Sequence, residues 1–365
     1  MILPPLGLMY GFGMDARNWL YDRVVLPSYP LGARSVSVGN LTAGGTGKTP
    51  VVALTSRILA DAGETVCILT RGYGRRNPKK RVLVSDGKSL LADAATGGDE
   101  PVELARKLIG KALVIADADR VTAAKWAREE FGITAFVLDD AFQHRRARRD
   151  LDIVCIDATD PFGGGIIPAG RARERMSGLG RADAVIITRA DLVDDISELT
   201  SKITAFASAA EIFTARNEIS QVLPLEEYLS IGDGTSAASE PGPVLDSLGG
   251  SRRLTAFCAL GNPENFFSLL ARRYSDRPEA FERSAVKGFP DHHLYTQQDI
   301  DRLEQQVHSS GIDCLLTTAK DAVKLLGLRF GLPVYVVEVE VVVGDEAEFR
   351  RLIVGGQKTG QIKTG

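Results

Sequence analysis

Eight residues, Thr42-Ala43-Gly44-Gly45-Thr46-Gly47-Lys48-Thr49, set three glycines ahead of a lysine and a hydroxyl. They follow a β-branched run and open a helix-like stretch, the context in which such a loop cradles phosphates. Glycines let backbone amides turn toward β- and γ-phosphates, and the helix N-terminus adds positive potential. Lys48 would reach phosphate oxygens, and the Thr49 hydroxyl is placed for Mg²⁺. The pattern GxxxxGK[ST] asks for glycine where Thr42 stands; the Gly44-Gly45 pair offers the missing flexibility. A partner is expected where an apolar strand ends in acid, and Phe136-Val137-Leu138-Asp139-Asp140 supplies it. One of these aspartates would hold Mg²⁺, directly or through water. Two aspartates at a strand end also read as a helix cap.

These motifs point to a nucleoside triphosphate enzyme. A GTPase would read guanine through an NKxD motif, of which Thr188-Arg189-Ala190-Asp191 is a degraded version lacking both Asn and Lys. A kinase needs a base for its acceptor hydroxyl and positive groups around the transferred phosphate. Asp99, in Gly98-Asp99-Glu100-Pro101, and His292, in Phe289-Pro290-Asp291-His292-His293, are candidates for a base pair meeting across an interdomain cleft. Each also has a plain structural reading, Asp99 as a helix cap and His292 as a packing residue. Three basic runs follow strand ends: Arg71 to Arg81, Arg145 to Arg149, and Arg171 to Arg175. They suggest an anionic substrate or an anionic membrane surface, or else solvated loops.

The elements that must carry these residues alternate. Strands are expected over 34–38, 65–70, 112–116, 135–138, 152–156 and 184–188, with helices over 48–62, 101–108 and 120–131. Several strands are apolar throughout, as in parallel sheets covered on both faces. The alternation predicts an α/β fold, a P-loop NTPase-like doubly wound, mostly parallel sheet. A Gly/Ser/Pro/Ala-rich stretch at 232–250 reads as a linker. A second, smaller α/β set follows, with strands over 254–259, 314–317 and 334–343 and helices over 263–273, 296–309 and 319–326. The expected partition is 1–30 as an N-terminal membrane-interface segment, 31–215 as the P-loop core, and 216–365 as a smaller domain closing the cleft.

Composition narrows the classes further. The 365 residues are 44% apolar and 25% charged with a net charge of −3, so neither disorder nor a global drive toward nucleic acid is expected. Cys67, Cys155, Cys258 and Cys314 are scattered in apolar runs without a CxxC pair, which fits buried thiols in a reducing compartment. The first 14 residues carry too few apolar positions for a spanning helix and lack the basic start of a secretory signal. Leu6, Leu8, Met9, Tyr10, Phe12, Trp19, Leu20 and Tyr21 are either core or an interfacial segment lying on a bilayer.

The ordered motifs resemble those of the tetraacyldisaccharide 4′-kinase (lipid A 4′-kinase) family. The resemblance is carried by Ser37-Val38-Gly39-Asn40-Leu41-Thr42 with the GGTGKTP that follows, Thr70-Arg71-Gly72-Tyr73-Gly74, Gly98-Asp99-Glu100-Pro101 and Asp119-Arg120. Asp139-Asp140-Ala141-Phe142-Gln143-His144, Arg149-Asp150-Leu151, Ile167-Pro168-Ala169-Gly170 and Arg173-Glu174-Arg175 continue it. Gly261-Asn262-Pro263, Asp291-His292 and Lys320-Asp321-Ala322-Val323-Lys324 complete it. Ala141 stands where the family has glycine after its acidic pair, and Ala319 where it has glutamate before Lys320.

The resemblance implies ATP- and Mg²⁺-dependent phosphorylation of the 4′-hydroxyl of an acylated glucosamine disaccharide 1-phosphate. It also implies peripheral, monotopic attachment to the cytoplasmic face of the bacterial inner membrane, and a cleft that closes on ATP. A monomer is expected. By motif match Asp99 and His292 form the catalytic dyad and Lys48 serves the phosphates. Thr49, Asp139 and Asp140 serve the metal, while Arg71, Arg120, His144 and Glu174 surround substrate or nucleotide. The alternatives are a P-loop GTPase or metallochaperone, suggested by Asp191 and the paired histidines, a nucleotide-gated membrane adaptor without catalysis, and a soluble sugar kinase.

Overall fold

A computed structural model describes residues 3–232, 252–308 and 310–355; the expected linker lies, from residue 233 on, outside them. In chain order the first elements are α1 (Leu3–Asp22), β1 (Arg34–Asn40), α2 (Lys48–Asp61), β2 (Val66–Thr70), β3 (Val82–Ser85), α3 (Ala94–Gly97) and α4 (Asp99–Lys107). Then come β4 (Ala112–Ala116), α5 (Arg120–Phe131), β5 (Ala135–Asp139), β6 (Leu151–Asp157), β7 (Ala184–Thr188), α6 (Ser197–Phe206), β8 (Glu211–Pro224) and α7 (Leu225–Ser230). The last are β9 (Leu254–Cys258), α8 (Pro263–Arg273), β10 (Lys287–Gly288), α9 (Gln297–His308), β11 (Cys314–Thr318), α10 (Ala319–Ala322), β12 (Val334–Val343) and α11 (Glu346–Gly355).

The chain divides into two compact units, and not at the expected linear boundaries. The first unit is Met1–Arg71, Lys111–Arg216 and Val341–Gly365; the second is Gly72–Gly110 and Asn217–Glu340. The physical reason is an excursion. After β2 ends, the chain leaves the first unit to build β3, α3 and α4, and returns at Lys111 for β4.

In the first unit the strand order is β8-β7-β6-β1-β5-β2-β4. Every pairing from β7–β8 to β2–β4 is parallel. β2, β4, β5 and β7 are buried at every position, which is why they read as unbroken apolar runs. β1 pairs with β5 so that Val38 lies beside Asp139, placing the end of the phosphate strand next to the acidic pair. Helix α11 packs on α2, and Phe349 meets Phe213 edge-on at 5.3 Å.

α1 is one continuous helix although Pro4, Pro5 and three glycines fall within it. The prolines occupy its first turn, where a missing N–H costs nothing. The glycines Gly7 and Gly11 are a seat: a Cβ at Gly7 would stand 3.0 Å from the Ile166 carbonyl, and one at Gly11 2.9 Å from Ile166 Cδ1. Asp15 pairs with Arg175 at 2.9 Å, Arg17 donates to the Gln143 carbonyl, and Asn18 donates to Glu174. The core reading of its apolar residues is corrected: Leu8, Met9 and Phe12 are 65%, 71% and 72% exposed. Among the described residues no helix is long and apolar enough to cross a membrane.

In the second unit the order is β10-β9-β11-β12-β8. β9 runs parallel to β10 and β11, and β11 to β12. Its core gathers Phe266, Phe267 and Leu270 of α8 with Leu254, Leu316 and Val337. α4 starts at Asp99, two residues earlier than expected, because Gly98 breaks the chain at φ +98° and Pro101 fits a first turn. The helix expected over 319–326 is a single turn. Beyond it Lys324 and Leu325 donate to carbonyls three residues back, so the chain proceeds as turns.

Candidate active site

In the first unit the phosphate loop is shaped from outside. Thr188 Oγ1 donates to the Thr46 carbonyl at 2.9 Å, and Arg189 Nη2 donates to the Gly45 carbonyl at 3.0 Å. Asn40 Nδ2 donates to Thr46 Oγ1 at 2.8 Å. A peptide's C=O and N–H point opposite ways, so holding the Thr46 carbonyl turns the Gly47 amide the other way. Gly47 is left-handed at φ +75°, and no side chain caps α2, so the leading amides of that helix stay open to an anion. The threonine at the first position is explained by its backbone. Thr42 bridges Ala172 in an extended pairing, with the Ala43 amide on the Arg171 carbonyl at 2.7 Å, so no left-handed residue is required there. Two amides of the loop have partners within the protein: that of Ala43 donates to the Arg171 carbonyl and that of Thr46 to the Gly44 carbonyl.

The two aspartates do different things. Asp139 Oδ2 accepts from Thr70 Oγ1 at 2.9 Å and is tied into the sheet. Asp140 turns away from the strand at φ +49°. This is possible because Gly39 has no side chain: a Cβ there would stand 2.6 Å from that of Phe142. Both Asp140 oxygens accept from Arg173 Nη1, at 2.7 and 2.8 Å, and Lys48 Nζ lies 3.5 Å away. Burial alone would raise this carboxyl; Lys48 and Arg173 hold it below its ordinary value. Arg173 had no assigned role in the sequence reading, where it stood in a basic run and in the Arg173-Glu174-Arg175 motif. Asp139, Asp140 and the Thr49 hydroxyl are hard oxygen donors beside a phosphate loop. That is the set a Mg²⁺ ion shares with nucleotide phosphates.

The remaining residues expected around the substrate separate in the same unit. Arg120 is buried and donates to the Asp139 carbonyl at 3.3 Å. Burial, with Arg120 and Arg149 nearby, pushes the His144 imidazole down to about 4, so it is neutral at pH 7. Glu174 is buried and accepts from Arg181, Gln143 and Asn18; it organises its neighbours and presents no open carboxylate. Arg71 is exposed at the end of β2. Two of the three basic runs, 145–149 and 171–175, are largely ion-paired within the first unit, which narrows the picture of an open cationic rim. Arg145 pairs with Asp22, Arg146 with Asp119, Arg149 with Asp152, Arg171 with Asp160 and Arg175 with Asp15. Arg75 folds inward onto the Pro78 and Lys80 carbonyls.

The second unit holds the acid–imidazole pair. Three parallel strands, β9, β10 and β11, end on one edge, where α/β sheets bind ligands. They deliver Gly261-Asn262, Asp291-His292 and Ala319-Lys320. Asp99 opens α4, nearly buried, with Oδ1 accepting the Glu100 amide at 3.0 Å. Its Oδ2 lies 2.9 Å from His292 Nδ1. His292 is left-handed at φ +59°, a strained conformation of the kind that gathers at functional sites. Burial would raise the Asp99 carboxyl, but the His292 hydrogen bond and Lys320 hold it below its ordinary value. The same hydrogen bond raises His292 above its own. The expectation that the two meet across an interdomain cleft is corrected: both belong to the second unit. The paired histidines do not converge on one ligand site. His293 stacks on Phe289 and meets Asp299 at 3.1 Å. Among the described residues no group of three His, Cys, Asp or Glu is arranged to hold a metal.

A family model described as tetraacyldisaccharide-1-P 4′-kinase matches residues 1–356. The tetraacyldisaccharide 4′-kinase of Pelobacter propionicus is 36% identical over 349 residues, covering 95% of this chain and 89% of its own. That of Anaeromyxobacter dehalogenans is 40% identical over 310 residues, covering 85% and 77%. Among solved structures, LpxK from Aquifex aeolicus in complex with ATP superposes with a TM-score of 0.74 at 29% identity, covering 96% of this chain and 97% of that one.

Proposed function

The chain belongs to the tetraacyldisaccharide-1-P 4′-kinase family, and on that premise we propose how its residues perform ATP-dependent phosphorylation of the disaccharide 4′-hydroxyl. Lys48 and the open amides at the start of α2 bind the β- and γ-phosphates of ATP. Thr49, Asp139 and Asp140 would hold Mg²⁺, which would supply charge neutralisation at the phosphates when bound. Asp99 accepts the proton of the 4′-hydroxyl as its oxygen bonds to the γ-phosphorus and the bond to ADP breaks. His292 orients Asp99 and stabilises its charge. Arg71, Arg120 and His144 contact substrate or nucleotide; Glu174 holds Gln143 and α1 in place around them. The exposed face of α1 lies on the cytoplasmic surface of the inner membrane, where the acyl chains of the substrate reside. The protein acts as a monomer.

The observation that carries this reading is the 2.9 Å contact between Asp99 and His292 at the ligand edge of the second sheet. Neither a guanine-nucleotide switch nor an adaptor without turnover is favoured by the family. The test is transfer of labelled γ-phosphate to tetraacyldisaccharide 1-phosphate in detergent micelles, with ATP or GTP, for the native chain and Lys48→Ala. Labelling that prefers ATP and is lost in Lys48→Ala is expected. Retained turnover in Lys48→Ala would remove the phosphate role of that lysine.

A further inference from the structure

Each member of the acid–imidazole pair has a carboxylate next to it in sequence, Glu100 beside Asp99 and Asp291 beside His292. One ammonium joins both neighbours. Lys320 Nζ, nearly buried, lies 3.3 Å from Glu100 Oε1 and 3.2 Å from Asp291 Oδ1. We propose that Lys320 is a positioning residue for the phosphoryl transfer: a strap from the end of β11 that clamps the Asp99 segment to the His292 segment. This rests on Asp99 and His292 being the base pair.

Three features support the strap. First, the pair it would hold joins residues 193 apart in sequence, and the backbone at His292 is left-handed. A strained residue keeps its place only where its surroundings over-determine it, and Lys320 adds a second bridge parallel to the 2.9 Å contact. Second, the lysine is itself fixed from below. Asp321 is fully buried and accepts the Ala259 amide at 3.0 Å and the Thr318 hydroxyl at 2.7 Å. Lys324 pairs with it at 2.9 Å. The turn carrying Lys320 is thus pinned to the ends of both β9 and β11. Third, the ammonium stays charged. Burial opposes the charge, but Glu100, Asp99 and Asp291 hold the group well above the ordinary lysine value.

The groups coupled to this ammonium come from two segments: Asp99, Glu100 and Glu103 on α4, and Asp291 and His292 after β10. Lys324, beyond α10, acts on Asp99 itself. Removing the positive charge leaves Glu100 and Asp291 to repel an ionised Asp99. The carboxyl therefore becomes easier to protonate, and the acid limb of the activity profile moves to higher pH. Removing the two neighbouring carboxylates and keeping Lys320 moves it to lower pH. Both changes cut the strap, so both lower kcat. A purely structural residue would not give opposite displacements of the profile.

The experiment compares Lys320→Met, Lys320→Arg, the double variant Glu100→Gln/Asp291→Asn, and Asp99→Ala in the full chain. Labelled phosphate transfer is measured across pH, with ATP saturation curves. For Lys320→Met the expected result is a kcat lower by about 10²-fold, the scale set by ångström-level misplacement of a reacting group. KM for ATP stays within about twofold, and Lys320→Arg recovers most of the loss through its own charge and reach. Wild-type kcat and pH profile in Lys320→Met, with Asp99→Ala inactive, would overturn the strap alone. Near-native turnover in Asp99→Ala would overturn the base-pair reading and the strap with it. If Lys320→Met does not fold, the double variant decides: a lower kcat with a downward pH displacement supports the strap, and native kinetics overturn it.

Discussion

Replacing Lys324 by methionine tests the floor beneath the site. The pair it forms with Asp321 is almost wholly withdrawn from water, with side-chain exposures of 3% and 0%. Asp321 Oδ2 keeps two bonds, to the Ala259 amide and the Thr318 hydroxyl. Oδ1 faces Lys324, whose ammonium also lies 5.5 Å above the Tyr295 ring. Methionine fills much of the lysine volume, so packing changes little while a buried carboxylate loses its counter-charge. Breaking a buried pair from one side costs about 3–5 kcal/mol, a large part of a typical stability of about 5–15 kcal/mol. In urea, at an m of about 2 kcal/mol per M, the midpoint of the transition reporting the second unit falls by roughly 2 M. The companion variant, Lys324→Met with Asp321→Asn, removes the uncompensated charge while an amide oxygen still accepts from Ala259 and Thr318. It recovers at least half of the loss. Amide exchange at Ala259, followed by mass spectrometry, quickens in the single variant and slows again in the double. A single-variant cost below about 1 kcal/mol, the range of exposed pairs, or a double variant no better than the single, would refute the reasoning.

Four other outcomes are expected. His292→Ala removes the hydrogen bond that holds the Asp99 carboxyl low, so the acid limb of kcat moves to higher pH. Asp99→Ala, His292→Ala and their double variant lose similar activity, within the range of about 10²–10⁴ for a general base; independent, multiplying losses in the transfer assay would break the unit. Gly39→Ala drives a methyl group into Phe142 at 2.6 Å, lowering stability by about 1–3 kcal/mol and raising KM for ATP by displacing Asp140; calorimetry with and without ATP checks both. Replacing Leu8, Met9 and Phe12 together by serine shifts the protein from vesicles to the soluble fraction by more than about tenfold, since each exposed side chain contributes on the order of 1 kcal/mol; unchanged flotation would remove α1 from the membrane.

The strands around the phosphate loop were legible because parallel strands covered on both faces leave an apolar run that nothing else in the chain imitates. β4 and β7 match their expected bounds. β8 was missed because its 14 residues alternate between buried and exposed irregularly along their length. α1 was masked by its own prolines and glycines, whose meaning depends on Ile166, far away in the chain. The excursion of residues 72–110 was also invisible, since which unit a segment joins is a matter of long-range packing and leaves no local mark. Without it, Asp99 was assigned to the wrong partner domain although its residue type and its imidazole were found. Asp139 and Asp140 looked equivalent as neighbours; the turn allowed by Gly39 and the hold of Arg173 separate them. Lys320 was visible only as part of a motif, because its bond partners lie on two other segments.

The exchange of chain between the units sets an order of assembly during synthesis. The phosphate loop leaves the ribosome first and Asp99 soon after, while the imidazole that bonds to Asp99 follows 193 residues later. At about 5–20 residues per second, that interval is on the order of 10–40 s. Throughout it, α4 exists without the β9, β10 and β11 edge it belongs to. The nascent chain can therefore assemble its glycine-rich loop well before Asp99 meets its imidazole partner.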